Sequence, residues 1–120
     1  MIMNEKEIYK LAIEKWGEDL QMVMAIEEFS ELQKVICKVI RGPEEKLQAL
    51  YAKDIFEEIA DCEIMIGQLK EMFGHDLCIE IKQRKLARLA IKLETGNWQK
   101  WEDISLERAL IILGDRKRGD

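Results

Sequence analysis

Apolar residues recur along this chain at alternating steps of three and four, and no stretch sustains the strict alternation of a strand. Ile8, Leu11, Ala12 and Trp16 form the first set, with Asn4 placed as an N-cap and Glu7 at the capping-box position. Gly17 interrupts, and a longer helix is predicted from about Glu18 to Ile40, stopped by Arg41-Gly42-Pro43. The next begins near Pro43, a favoured first-turn residue, and carries Ile55, Ile59, Cys62, Ile66, Leu69 and Phe73 to a stop at Gly74. A fourth helix runs from about Asp76 to Leu93, is expected to bury Leu77, Ile81, Leu86, Leu89 and Leu93, and closes at Thr95-Gly96-Asn97. Trp98 and Trp101 follow, then a short helix from about Ser105 to Leu113 and a charged tail expected to fray. The pattern predicts an all-α bundle of four to five helices, with residues 1–97 as one helical domain. Residues 98–120 are expected to belong to that domain or to an oligomer contact.

Composition narrows this picture. With 120 residues, one Pro and seven Gly, there is room for a single domain and too few turn residues for a sandwich or barrel. Three substantial helices after a short first one make a thin core, so the bundle is expected to be completed by pairing into a homodimer or homotetramer. No apolar run approaches the roughly 20 residues of a membrane span, and the start is too polar for a signal peptide. Cys37, Cys62 and Cys78 match neither a disulfide framework nor a zinc site, and reduced core thiols in a cytoplasmic protein are expected.

Charge is distributed unevenly. The net −5 argues against a nucleic-acid polymer as partner, but residues 1–73 carry net −7 and residues 74–120 net +2. Lys82, Arg84, Lys85, Arg88 and Lys92 fall in one stretch without an acid among them. An acidic front half and a basic helix suit a metal-bound polyanion. They equally suit two helices with complementary surfaces.

The residues that break the apolar pattern indicate where chemistry can sit. Glu28 lies on the stripe of Gln21, Met24, Leu32 and Val35, and Glu31 borders it. Glu58 lies on the stripe of Tyr51, Ile55, Cys62 and Met65, with Asp61 beside it. Residues three apart project from one face, so two helices each present two carboxylates. Four unpaired carboxylates cannot be buried together, because each costs several kcal/mol and they repel. Either a cation sits among them or the helices do not face each other. A hard divalent ion fits best, Mg²⁺ with Mn²⁺ as substitute. A di-iron site would need Glu-x-x-His, and the one histidine, His75, stands at a helix junction.

Glu27-Glu28-x-x-Glu31, followed after 26 residues by Glu58-x-x-Asp61, resembles the EExxE…ExxD signature of the MazG-like all-α NTP pyrophosphatases. The segment WGEDLQMVMAIEEFSELQKV resembles the family's metal helix, FEEIADCEIMIGQLKEMFG its second helix, and IKQRKLARL the position of its phosphate-binding residues. The likeness covers about residues 5 to 93. It implies hydrolysis of a (deoxy)nucleoside triphosphate to the monophosphate and pyrophosphate, as nucleotide-pool clean-up.

Carried over residue by residue, Glu28, Glu31, Glu58 and Asp61 would be the Mg²⁺ ligands, with room for further ions alongside substrate. Glu27 and Glu31 are the candidates for helping a bound water lose its proton, and the sequence does not assign the base between carboxylates. Lys82, Lys85 and Arg88 are the expected phosphate clamp, with Arg84 weaker. Gln21 and Trp16 are expected to read the base by hydrogen bonding and stacking, although core packing suits Trp16 equally well. Asn97, Trp98 and Trp101 would cover a nucleotide or pack an interface. The alternative is a non-catalytic helical adaptor or oligomerisation module that keeps the acidic pattern.

Overall fold

The structure is a computed structural model describing residues 2–42, 44–97 and 103–118, with side chains over 2–42, 53–97 and 103–114. Among the described residues there are five helices and no strand: α1 (Glu5–Trp16), α2 (Glu18–Arg41), α3 (Glu44–Phe73), α4 (His75–Thr95) and α5 (Leu106–Arg118). The all-α prediction therefore holds, and the helix ends fall within a few residues of those expected. The largest departure is at the C-terminus, where the tail expected to fray is helical to Arg118. Pro43, Trp98 and Trp101, to which the sequence suggested roles, lie outside the described residues, as does the Tyr51 side chain.

Each boundary has a local cause. Asn4 Oδ1 accepts from the Glu7 backbone N–H at 2.8 Å and its Nδ2 donates to Glu7 Oε1 at 3.1 Å, so the two side chains cap α1 together. Gly17 is the single residue between α1 and α2 and sits at φ 88, ψ 152, a conformation open only to glycine. At α5, Ser105 Oγ accepts from the Arg108 N–H at 3.2 Å.

The chain forms two compact units, Met1–Phe73 and Gly74–Asp120, dividing where the net charge changes sign. In the first, α2 packs along α3 and α1 lies against both. Only two residues separate α2 from α3, so the pair is antiparallel. Gln21, Ala25 and Val35 are buried on α2, and Cys62, Met65 and Gln68 on α3. The steps on α2, filled in by half-buried Glu28 and Leu32, alternate four and three as in a coiled-coil seam. Glycine at 67 admits α1, because a Cβ there would overlap the Tyr9 ring.

In the second unit α4 packs on α5. Its core is Ala87, Ile104 and Ala109, with Ile91 and Ile112 against it. Ile104 immediately precedes the Ser105 cap and packs with Ala109, four residues into the helix, which is the arrangement of a hydrophobic staple.

Two expectations about the core are corrected. On α3 the buried face is that of Cys62 and Met65, whereas Ile59, Ile66 and Phe73 are exposed. On α4 the small residues Ala87 and Ala90 are buried, while Leu77, Leu86, Leu89 and Leu93 are exposed. The reason is shared: both helices have apolar residues on more faces than their neighbours, α2 and α1 for α3 and α5 for α4, can cover.

Candidate metal centre and basic groove

Glu28 and Glu58 occupy core-stripe positions, so the packing of α2 on α3 turns them toward each other. The Cys62 thiol donates to the Glu28 backbone carbonyl at 3.4 Å, which sets residue 62 level with residue 28. Asp61, one residue away, comes to the rim. One oxygen from each of Glu28, Glu58 and Asp61 lies within 4.8 Å of the others, close enough for a single ion to touch all three. Glu28 and Glu58 are half-buried and Asp61 is exposed.

The electrostatics follow from this crowding. At an effective dielectric near 20, two ionised carboxylates at such a distance repel by about 3–4 kcal/mol, before water at the exposed Asp61 screens them. Burial pushes the Glu28 carboxyl above its usual range, and the Asp61 and Glu58 charges raise it further. Glu58 Oε2 is buried with no hydrogen-bond partner. A carboxylate oxygen so placed lacks what a hard cation supplies. The donor set, three carboxylates and no sulfur or imidazole, fits a hard divalent cation and suits zinc poorly. Burial, and then the Glu58, Glu28 and Asp61 charges, push the neighbouring Cys62 thiol above its usual range.

Of the four acids expected as ligands, the structure thus brings three together. Glu31 is exposed and outside the trio, as is Glu27. Trp16 is 54% exposed, with Lys15 Nζ 5.5 Å from its ring centroid, so the core-packing reading of this residue does not apply. Gln21 is the reverse: it is 2% exposed and donates through Nε2 to Met24 Sδ at 3.6 Å. Asn97 is exposed at the end of α4, its N–H held by Thr95 Oγ1 at 3.1 Å.

On the second unit, Lys82, Lys85 and Arg88 line one groove of about 520 Å³ together with Cys78, Ile81, Leu86 and Leu89. Positions 78, 81, 82, 85, 88 and 89 share one face by helical spacing, which joins three cations to an apolar floor. Arg84 is diverted: its guanidinium donates to Glu80 Oε1 at 2.8 Å, an i,i+4 pair that the sequence already contained. A buried polar residue that the sequence analysis did not single out is Gln68. It is 5% exposed and its Oε1 is buried without a hydrogen-bond partner. Its signal was available, since Gln68 is seven residues from Asp61 and so on the same face.

No helix among the described residues is long and apolar enough to cross a membrane. No family model, no curated protein and no solved structure matches this chain.

Proposed function

We propose that this chain is a MazG-like nucleotide pyrophosphohydrolase, hydrolysing a (deoxy)nucleoside triphosphate to the monophosphate and pyrophosphate with Mg²⁺. The observation that carries the reading is the meeting of three carboxylates from two helices within 4.8 Å, two of them, Glu28 and Glu58, at positions a packed seam would otherwise give to apolar residues. Glu28, Glu58 and Asp61 would hold the ion. It would supply charge neutralisation on the phosphates and a lowered pKa for a bound water.

The remaining roles fall to this chain's own side chains. In the reaction, water adds to the α-phosphorus, the bond to the bridging oxygen breaks and pyrophosphate leaves. A carboxylate must take the water's proton. Glu31, one turn beyond Glu28, and Glu27 have no part in the trio and are the residues for that task. Lys82, Lys85 and Arg88 are the groups for the triphosphate, with Arg supplying paired donors and Lys point charges. Glu28 and Glu58 sit against the α2–α3 seam, which limits the water that reaches them.

The same reading includes a homodimer or homotetramer. Ile26 and Phe56, on α2 and α3 of the first unit, are 65% and 69% exposed, and a second copy of the chain would cover such residues. The test of function is a panel of canonical and modified (d)NTPs with Mg²⁺ or Mn²⁺, read as pyrophosphate. Release from at least one of them, lost in Glu58→Gln, is expected. No release from any would end the proposal.

A further inference from the structure

The geometry points to Gln68, with Gln21 opposite, as a subsite that reads the nucleobase by hydrogen bonding. This inference rests on the proposed nucleotide chemistry and adds a specificity-determining residue to it.

The starting observation is a polar oxygen with nothing to do. Gln68 is 5% exposed on the packed face of α3, and its Oε1 is buried with no hydrogen-bond partner. Leaving such an oxygen unsatisfied costs about 1–3 kcal/mol, and a leucine at this seam position would avoid it. Gln21, 2% exposed on α2, is only weakly served, because a thioether sulfur 3.6 Å away is a poor acceptor for its Nε2.

Register brings the two amides to one level. The Cys62 thiol meets the Glu28 carbonyl, and Glu28 and Asp61 share the carboxylate trio. Stepping seven residues back along α2 leads to Gln21, and seven forward along α3 leads to Gln68. Seven residues are close to two full turns, so both amides stay on the face that carries the carboxylates. The seam therefore holds two polar layers, carboxylates and carboxamides, separated by the layer of Ala25 and Met65.

The separation is meaningful. Two turns are about 10 Å, which is the reach of a nucleoside from its phosphate to the far edge of its base. A triphosphate anchored at the carboxylates with its nucleoside laid along the seam brings its base to the level of the glutamines. A carboxamide sets an acceptor beside a donor, as an adenine edge does with N7 and N6, and reads a base by pairing with it. Met24 is 38% exposed and its thioether accepts from Gln21, so this side chain must swing aside to admit the base.

The test is equilibrium binding of α,β-methylene triphosphates of adenosine, guanosine, cytidine and uridine, with Mg²⁺, to the wild-type chain, Gln68→Leu and the volume-conserving Gln68→Met. Calorimetry reads the affinities and a thermal melt reads folding. The wild type is expected to prefer one base, and both variants to lose about tenfold toward that base with less than about twofold toward the rest. Their melting temperatures should equal or exceed the wild type's. Equal wild-type affinity for all four bases, or a uniform or absent loss in whichever variant folds, overturns the subsite while nucleotide binding itself stands. Failure of the wild type to bind any analogue overturns the subsite together with the proposed function. Pyrophosphate release by a wild type that shows no base preference separates the two failures.

Discussion

The Cys62 thiol donates to the backbone carbonyl of Glu28 at 3.4 Å, and this contact marks the register at which α2 packs on α3. In that register Glu58 and Asp61, on the same helix as Cys62, come to Glu28. A slip of one turn would leave Glu28 facing Met65 and would disperse the trio.

Glu28→Gln removes one ligand and one negative charge at once. Pyrophosphate release should fall by about a hundredfold or more, since an ion-binding carboxylate is lost. In metal-free buffer the same variant should melt no lower than the wild type, because carboxylate repulsion is relieved. Helical content and melting are read by circular dichroism, and unimpaired turnover would remove Glu28 from the site.

The pH dependence of stability follows from the raised Glu28 carboxyl. Its folded-state pKa lies above the ordinary 4.5, so in the interval between them the folded chain binds the extra proton. Stability from this group therefore falls as pH rises upward from 4.5 through the folded value. In EDTA, the melting temperature of the wild type relative to Glu28→Gln should be higher near pH 5 than at pH 7.5. Mg²⁺ should raise the wild-type melting temperature at pH 7.5 and do little for the variant.

Gly67 carries a stability prediction independent of function. A Cβ at this position would overlap the Tyr9 ring, so Gly67→Ala should cost about 1–3 kcal/mol of overpacking, against about 1 kcal/mol gained from helix propensity. In a Tyr9→Ala background the clash is gone and the same substitution should stabilise. Denaturant melts of the four-member cycle measure the coupling.

Lys82→Ala and Lys85→Ala should each raise KM for the triphosphate about tenfold, roughly 1.5 kcal/mol for a charged contact. Arg84→Ala should change it less than about twofold, because the Arg84 guanidinium is already engaged by Glu80 at 2.8 Å. Steady-state kinetics at two salt concentrations distinguish these effects, the lysine variants losing salt sensitivity as well.

Sedimentation at micromolar concentration should show at least a dimer. A 14.1 kDa species alone would count against the homo-oligomer and leave the exposed Ile26 and Phe56 without a cover.

The helices, their breaks at residues 17, 42, 74 and 96, and the placement of Glu28 and Glu58 on apolar stripes were all legible in the sequence. These are local properties: cap chemistry, glycine and periodicity act within a few residues. The sequence carried two apolar stripes on α3 and did not choose between them, because Ile59 and Ile66 form as apolar a face as Cys62 and Met65. Only the register with α2 chooses between them. That same choice put Glu58 and Asp61 against Glu28, left Glu31 outside, and buried the amide of Gln68. Ile104 joined the core for a similar reason, since the staple at Ser105 works only once α4 offers Ala87 to pack against. Along the chain the periodicity determined what each helix could bury. The tertiary pairing decided what it did bury, because each neighbouring helix covers one face and leaves the others exposed.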